Sequence, residues 1–124
     1  MRYMVGSLTL ALVASAILVA APAWPRKAAA AQEVQVVDIV AERFRFTPSE
    51  IRVKAGTRLA IRLRSEDTIH GFHLVGTDVD LDIPGRGGEA TVMFRPEAGS
   101  YTFECSRLCG AGHSYMRGVI IATD

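Results

Sequence analysis

Two cysteines, a histidine and a methionine crowd one short segment near the C-terminus: Cys105-Ser106-Arg107-Leu108-Cys109-Gly110-Ala111-Gly112-His113-Ser114-Tyr115-Met116. In an exported chain, two cysteines read first as a disulfide. Their company points elsewhere. Thiolate and thioether together select soft copper, and imidazole suits both of its oxidation states. Zinc rarely takes methionine, so a zinc site fits less well. Gly110 and Gly112 allow a loop tight enough to turn Cys105, Cys109, His113 and Met116 toward one centre. A pair of metal ions needs one further donor, and His70 is the candidate. In Ile69-His70-Gly71-Phe72-His73-Leu74-Val75, a strand places His70, Phe72 and Leu74 on one face and Gly71, His73 and Val75 on the other. A lone histidine on an apolar face is more often a core residue, but the incomplete metal loop elsewhere in the chain reverses that expectation. His73 is read as a non-ligand. Ser106 and Ser114 lack the third orienting group of a hydrolase triad, so no catalysis is expected from this chain alone.

The elements that must position these residues read as strands. Polar and apolar residues alternate in Arg43-Phe44-Arg45-Phe46, in Ile51-Arg52-Val53-Lys54 and most clearly in Leu59-Ala60-Ile61-Arg62-Leu63-Arg64. Turn signals separate the runs at Thr47-Pro48-Ser49, Ala55-Gly56-Thr57, Pro84-Gly85-Arg86-Gly87-Gly88 and Pro96-Glu97-Ala98-Gly99. Tyr101 and Phe103 alternate with Cys105 on the strand entering the loop, which makes them core support for the site. Met93 is expected to be ordinary core packing. Short strands at this spacing, with no ten-residue helical pattern, predict an all-β sandwich or barrel.

From Met4 to Trp24 no residue is charged, and Arg2 precedes that run. Residues 1–31 therefore read as a signal peptide or a single membrane anchor. Small-residue cleavage candidates at Ala21-Pro22-Ala23 and from Ala28 to Ala31 favour processing. Arg26 and Lys27 lie on the side to be translocated, which disfavours an anchor. Either way residues 32–124 form one extracytoplasmic domain. With only roughly 90 residues its core is small, so a bound metal would help stabilise it. Setting aside Arg2, Arg26 and Lys27 leaves 11 basic residues against 13 acidic ones. No basic patch is interleaved with aromatics, so a nucleic-acid partner is not expected. Basic residues crowd from Arg43 to Arg64 and acidic ones from Glu66 to Glu89. They read as two solvated strand faces, with a docking surface for a charged redox partner as the alternative.

At these residues the chain resembles the copper-A domain of cytochrome c oxidase subunit II, with the look of the B-type haem-copper oxidases. The matching pieces are Asp67-Thr68-Ile69-His70-Gly71-Phe72-His73 and the Cys105–Met116 segment, joined by a looser likeness from Phe44 through Pro48 to Gly56. The resemblance implies a cupredoxin-like Greek-key β-sandwich holding two copper ions that share one delocalised electron. It implies that Cys105 and Cys109 bridge both ions, that His70 and Met116 complete one, and that His113 completes the other with the backbone carbonyl of Arg107 as a weak axial donor. Members of that family accept electrons from cytochrome c and pass them to a haem in the catalytic subunit. One departure stands out: many subunits II carry glutamate at the Arg107 position, where its side chain helps bind magnesium against the catalytic subunit, and arginine cannot do so. A periplasmic copper-delivery protein, a mononuclear cupredoxin and a plain disulfide remain as competing readings.

Overall fold

A computed structural model describes residues 20–25 and 32–124 of the chain. Most of the expected leader lies outside the described residues, and 20–25 form no regular element. Among the described residues, no helix is long and apolar enough to cross a membrane.

Nine strands follow in order: β1 (Val34–Glu42), β2 (Arg45–Thr47), β3 (Glu50–Lys54), β4 (Arg58–Ser65), β5 (His70–Leu74), β6 (Asp80–Ile83), β7 (Glu89–Phe94), β8 (Gly99–Glu104) and β9 (Arg117–Thr123). A single 3₁₀ turn, His113–Tyr115, interrupts the connection between β8 and β9. The strands form two sheets, ordered β2-β1-β4-β7 and β3-β9-β8-β5-β6. The chain passes repeatedly from one sheet to the other, and β1 pairs with β4, and β3 with β9, in parallel. This is the sandwich that the alternating pattern predicts.

Period-two alternation explains the core. β1 turns Val37, Ile39 and Ala41 inward, β4 turns Leu59, Ile61 and Leu63 inward, and β3 contributes Ile51 and Val53. Three buried rings, Phe46, Phe72 and Phe103, meet with centroids 5.2 to 6.0 Å apart. Each comes from a different strand, and together they fill the core at the sites of β2, β5 and β8. Phe103 leaves no space beside it: a methyl group on Gly118 of β9 would lie 2.2 Å from its ring.

Two expectations need correction. Met93 is not core packing; it is 43% exposed. On β7 the inward positions are Ala90, Val92 and Phe94, so parity places Met93 outside, opposite Ala60 of β4. The run Arg43-Phe44-Arg45-Phe46 is not one strand either. The chain reverses at Arg43 and Phe44, β1 and β2 pair as a hairpin, and only Phe46 enters the core. The crowded basic residues lie on outer faces. Arg62 pairs with Asp38 at 2.6 Å, Arg52 with Glu50 at 2.8 Å and Arg64 with Glu66 at 3.3 Å, all exposed. Exposed pairs of this kind add little to stability, in keeping with solvated strand faces.

Candidate metal centre

The sulfur loop leaves β8 at Glu104 and returns at β9, closed at its base by the Cys105 N–H, which donates to the Met116 carbonyl at 3.1 Å. Inside the loop, His113 N–H donates to Gly110 and Met116 N–H to His113, each at 3.2 Å. These bonds wind the segment into a compact turn that aims its side chains inward. The Cys105 and Cys109 sulfurs lie 3.7 Å apart, and both cysteines are free and buried. His113 Nδ1 is 3.7 Å from the Cys109 sulfur, and the Met116 sulfur is 3.9 Å from it. Met116 has no exposed surface. On the other side, the Arg107 carbonyl lies 3.0 Å from the Cys105 sulfur, as the acceptor of its thiol proton.

His70 starts β5, and the parity argument holds: His70, Phe72 and Leu74 are fully buried, while His73 faces the other way and bonds the Val79 carbonyl at 3.1 Å. His70 Nδ1 reaches to 3.9 Å from the Cys105 sulfur. The structure thus places His70 beside the Cys105 sulfur, and His113 and Met116 beside the Cys109 sulfur. His70, Cys105 and Cys109 offer three donor atoms within 4.8 Å of one another. With metal–sulfur bonds of about 2.3 Å, as at zinc, one ion can touch both sulfurs at near-tetrahedral angles. Two thiols, two imidazoles and a thioether without a carboxylate among them suit a soft cation. The donor set fits copper, and the cluster is a candidate copper site.

Asp67 stands three residues before His70, and nothing local in the sequence marks its role. Its Oδ1 lies 2.6 Å from His70 Nε2. A carboxylate accepts here, so the ring proton belongs on Nε2 and the Nδ1 lone pair faces the sulfurs. Burial pushes the Asp67 carboxyl up, but hydrogen bonds from the Arg43 N–H, His70 and the Thr68 N–H outweigh it and hold the group at about 2. Burial, then the neighbouring Cys105 thiol, push the Cys109 thiol up to about 11. Without metal the Cys109 sulfur therefore stays protonated near neutral pH.

The surrounding residues hold the loop in place. Gly71 N–H points at the Cys105 sulfur, 3.4 Å away. Ser106 Oγ donates to Asp80 at 2.7 Å, and the Arg107 guanidinium meets the Asp82 carboxylate, so β6 clasps the loop from one flank. Gly110 has the positive φ of +138° that the turn requires. Gly112 does not; its φ is −93°, and glycine is needed there because an added methyl group would lie 2.3 Å from the Phe44 ring. Nothing local in the sequence marks Arg43 or Phe44 as neighbours of a loop more than sixty positions away. On the open side, a cleft of about 220 Å³ runs between Glu104, Arg117 and the His113 and Met116 side chains.

A family model described as the cupredoxin-like domain matches residues 14–122. The chain belongs to the cupredoxin-like family. It is similar to cytochrome c oxidase subunit 2 of Thermus thermophilus, 33% identical over 89 residues, which cover 71% of this chain and 65% of that protein. The chain therefore spans slightly less than two thirds of that relative. Among solved structures it is similar to a heme-copper terminal oxidase dimer (TM-score 0.60, 30% identity, 72% of this chain and 65% of that one). The periplasmic domain of subunit II of the Bradyrhizobium japonicum cytochrome oxidase shares the fold (TM-score 0.62, 21% identity, 73% of this chain and 84% of that one).

Proposed function

We propose that this cupredoxin-like domain is a binuclear copper electron carrier of the copper-A type, the electron-entry part of a haem-copper oxidase. The observation that carries the reading is the pair of buried sulfurs 3.7 Å apart, each with its own imidazole, at 3.9 Å for His70 and 3.7 Å for His113. The two ions would be held by Cys105, Cys109, His70, His113 and Met116 together with the Arg107 carbonyl. When bound, copper supplies a one-electron store. The protein's own residues keep that store in one geometry. Asp67 fixes the His70 tautomer, the Gly71 N–H stabilises charge on the Cys105 sulfur, and the buried Met116 excludes water. Because both sheets brace the loop, little has to reorganise when an electron arrives.

Residues 32–124 constitute the copper domain, and residues 1–31 export it or anchor it, which places the domain in the periplasm or an equivalent space. A cytochrome c-like protein is the electron donor, and an oxidase catalytic subunit the acceptor. The likeness to subunit 2 and to a terminal oxidase supports both roles. Arg107 is engaged by Asp82 of its own chain, so the contact with a catalytic subunit forms without a metal-binding side chain at that position.

Reduced, purified protein loaded with copper should turn purple, hold about two coppers per chain and give a paramagnetic resonance spectrum of one electron shared between two nuclei. One copper and a blue colour would refute the proposal in favour of a mononuclear cupredoxin. Stopped-flow mixing with reduced cytochrome c separates a carrier, which is reduced rapidly, from a copper-delivery protein, which is not.

A further inference from the structure

The turn between β1 and β2 touches both halves of the metal centre. Arg43 donates its backbone N–H to Asp67 Oδ2 at 2.8 Å, on the carboxylate whose other oxygen holds His70. The same residue donates its side-chain Nε to the Cys109 carbonyl at 3.0 Å. Phe44 follows, with its ring against Gly110 and Gly112. Through bonds, Arg43 is 24 residues from Asp67 and 66 from Cys109; in space it links the strand that carries His70 to the loop that carries the sulfurs. The Asp67 and Cys109 bonds come from different parts of the residue, one from backbone and one from side chain. A side-chain substitution therefore cuts one link and leaves the other.

We infer that Arg43 is a positioning residue of the copper centre, with its guanidinium fixing the Cys109 end of the loop relative to His70. This rests on the copper reading above. A charged donor on a carbonyl gives a stronger bond than a neutral one. It acts at the Cys109 end, whereas the clasp from β6 grips Ser106 and Arg107 and the Gly71 N–H reaches the Cys105 sulfur. Arg43→Met keeps an apolar stem out to the position of Nε while removing the donor and the charge. Arg43→Lys retains a charged donor in a less fitting shape.

Hydrogen exchange of the full chain without copper reads the loop directly through the amides of His113, Tyr115 and Met116, all bonded to loop carbonyls. In Arg43→Met these should exchange about tenfold faster, while amides of β4 and β9 stay at wild-type rates and Arg43→Lys recovers part of the loss. In copper-loaded protein, Arg43→Met should also lower the reduction potential, because a cation near the sulfurs favours the added electron. Unchanged loop exchange in Arg43→Met would overturn the inference, and so would faster exchange spread evenly over every strand. Wild-type protein that takes up no copper pair would sink the functional reading instead, and the copper-free exchange would still decide whether Arg43 holds the loop.

Discussion

Replacing Gly71 with alanine should loosen copper binding without unfolding the domain. A methyl group there would lie 2.2 Å from Ser106 Oγ, 2.7 Å from the Arg107 backbone nitrogen and 2.9 Å from that of Ser106. The hydroxyl can rotate away at the cost of its bond to Asp80, but the two backbone nitrogens cannot. To restore an ordinary contact near 3.4 Å, the chain at Arg107 must retreat by about 0.7 Å. A tuned site tolerates displacements of about 0.5 Å. Without copper, the loop can move outward and relieve most of the clash. In the proposed copper site the sulfurs and the Arg107 carbonyl would be tied to the ions, so the overpacking cost of about 1–3 kcal/mol would fall on the loaded form. Copper affinity should drop by about tenfold to about a hundredfold, measured by competition with a chromophoric copper(I) chelator. Gly56→Ala is the control. Its φ is +77° with nothing within 4 Å of an added methyl, so it should cost about 1–2 kcal/mol of stability through backbone strain alone and leave the copper affinity untouched. If Gly71→Ala binds copper as tightly as the wild type with the same spectrum, or if Gly56→Ala weakens binding equally, the steric reasoning is wrong.

Met116→Leu should retain two coppers and raise the reduction potential through loss of a weak axial donor; the swap conserves volume and should cost less than about 1.5 kcal/mol in the copper-free protein, and an unchanged potential by redox titration would remove Met116 from the ligand set. Asp67 carries a lowered carboxyl near 2, so its ionised form stabilises the fold fully above the ordinary carboxylate range, with that stability lost as pH falls toward 2. Denaturant titrations of wild type and Asp67→Asn should therefore show a gap that is constant above about pH 5 and closes on acidification; a gap independent of pH would contradict the assignment. In copper-loaded protein, Asp67→Asn should also weaken affinity by about tenfold or more by releasing the His70 ring. With the Cys109 thiol near 11, copper uptake at neutral pH must expel its proton, so affinity should rise with pH below that value. Calorimetry in two buffers of different ionisation enthalpy reads the released protons, and an identical heat in both would refute it.

The parts of this protein that were legible in its sequence depend on local periodicity and donor chemistry. Leu59, Ile61 and Leu63 declare an inward face because a strand turns alternate residues to opposite sides. That same parity puts His70 with Phe72 and Leu74 and sends His73 outward. Two thiols, an imidazole and a thioether within one glycine-bearing loop point to a soft metal whatever the surrounding fold. Met93 sits in an equally apolar stretch, yet which parity faced inward depended on its pairing with β4, and the outer side was the answer. Arg43 and Phe44 continued an alternating pattern but occupy a turn, and their partners lie far along the chain. The tertiary structure alone decided that Asp67 orients His70, that Asp82 takes the Arg107 guanidinium, and that Phe44 makes Gly112 obligatory. These contacts form because the sandwich stacks distant segments on each other, and neighbours in sequence carry no record of which faces will meet.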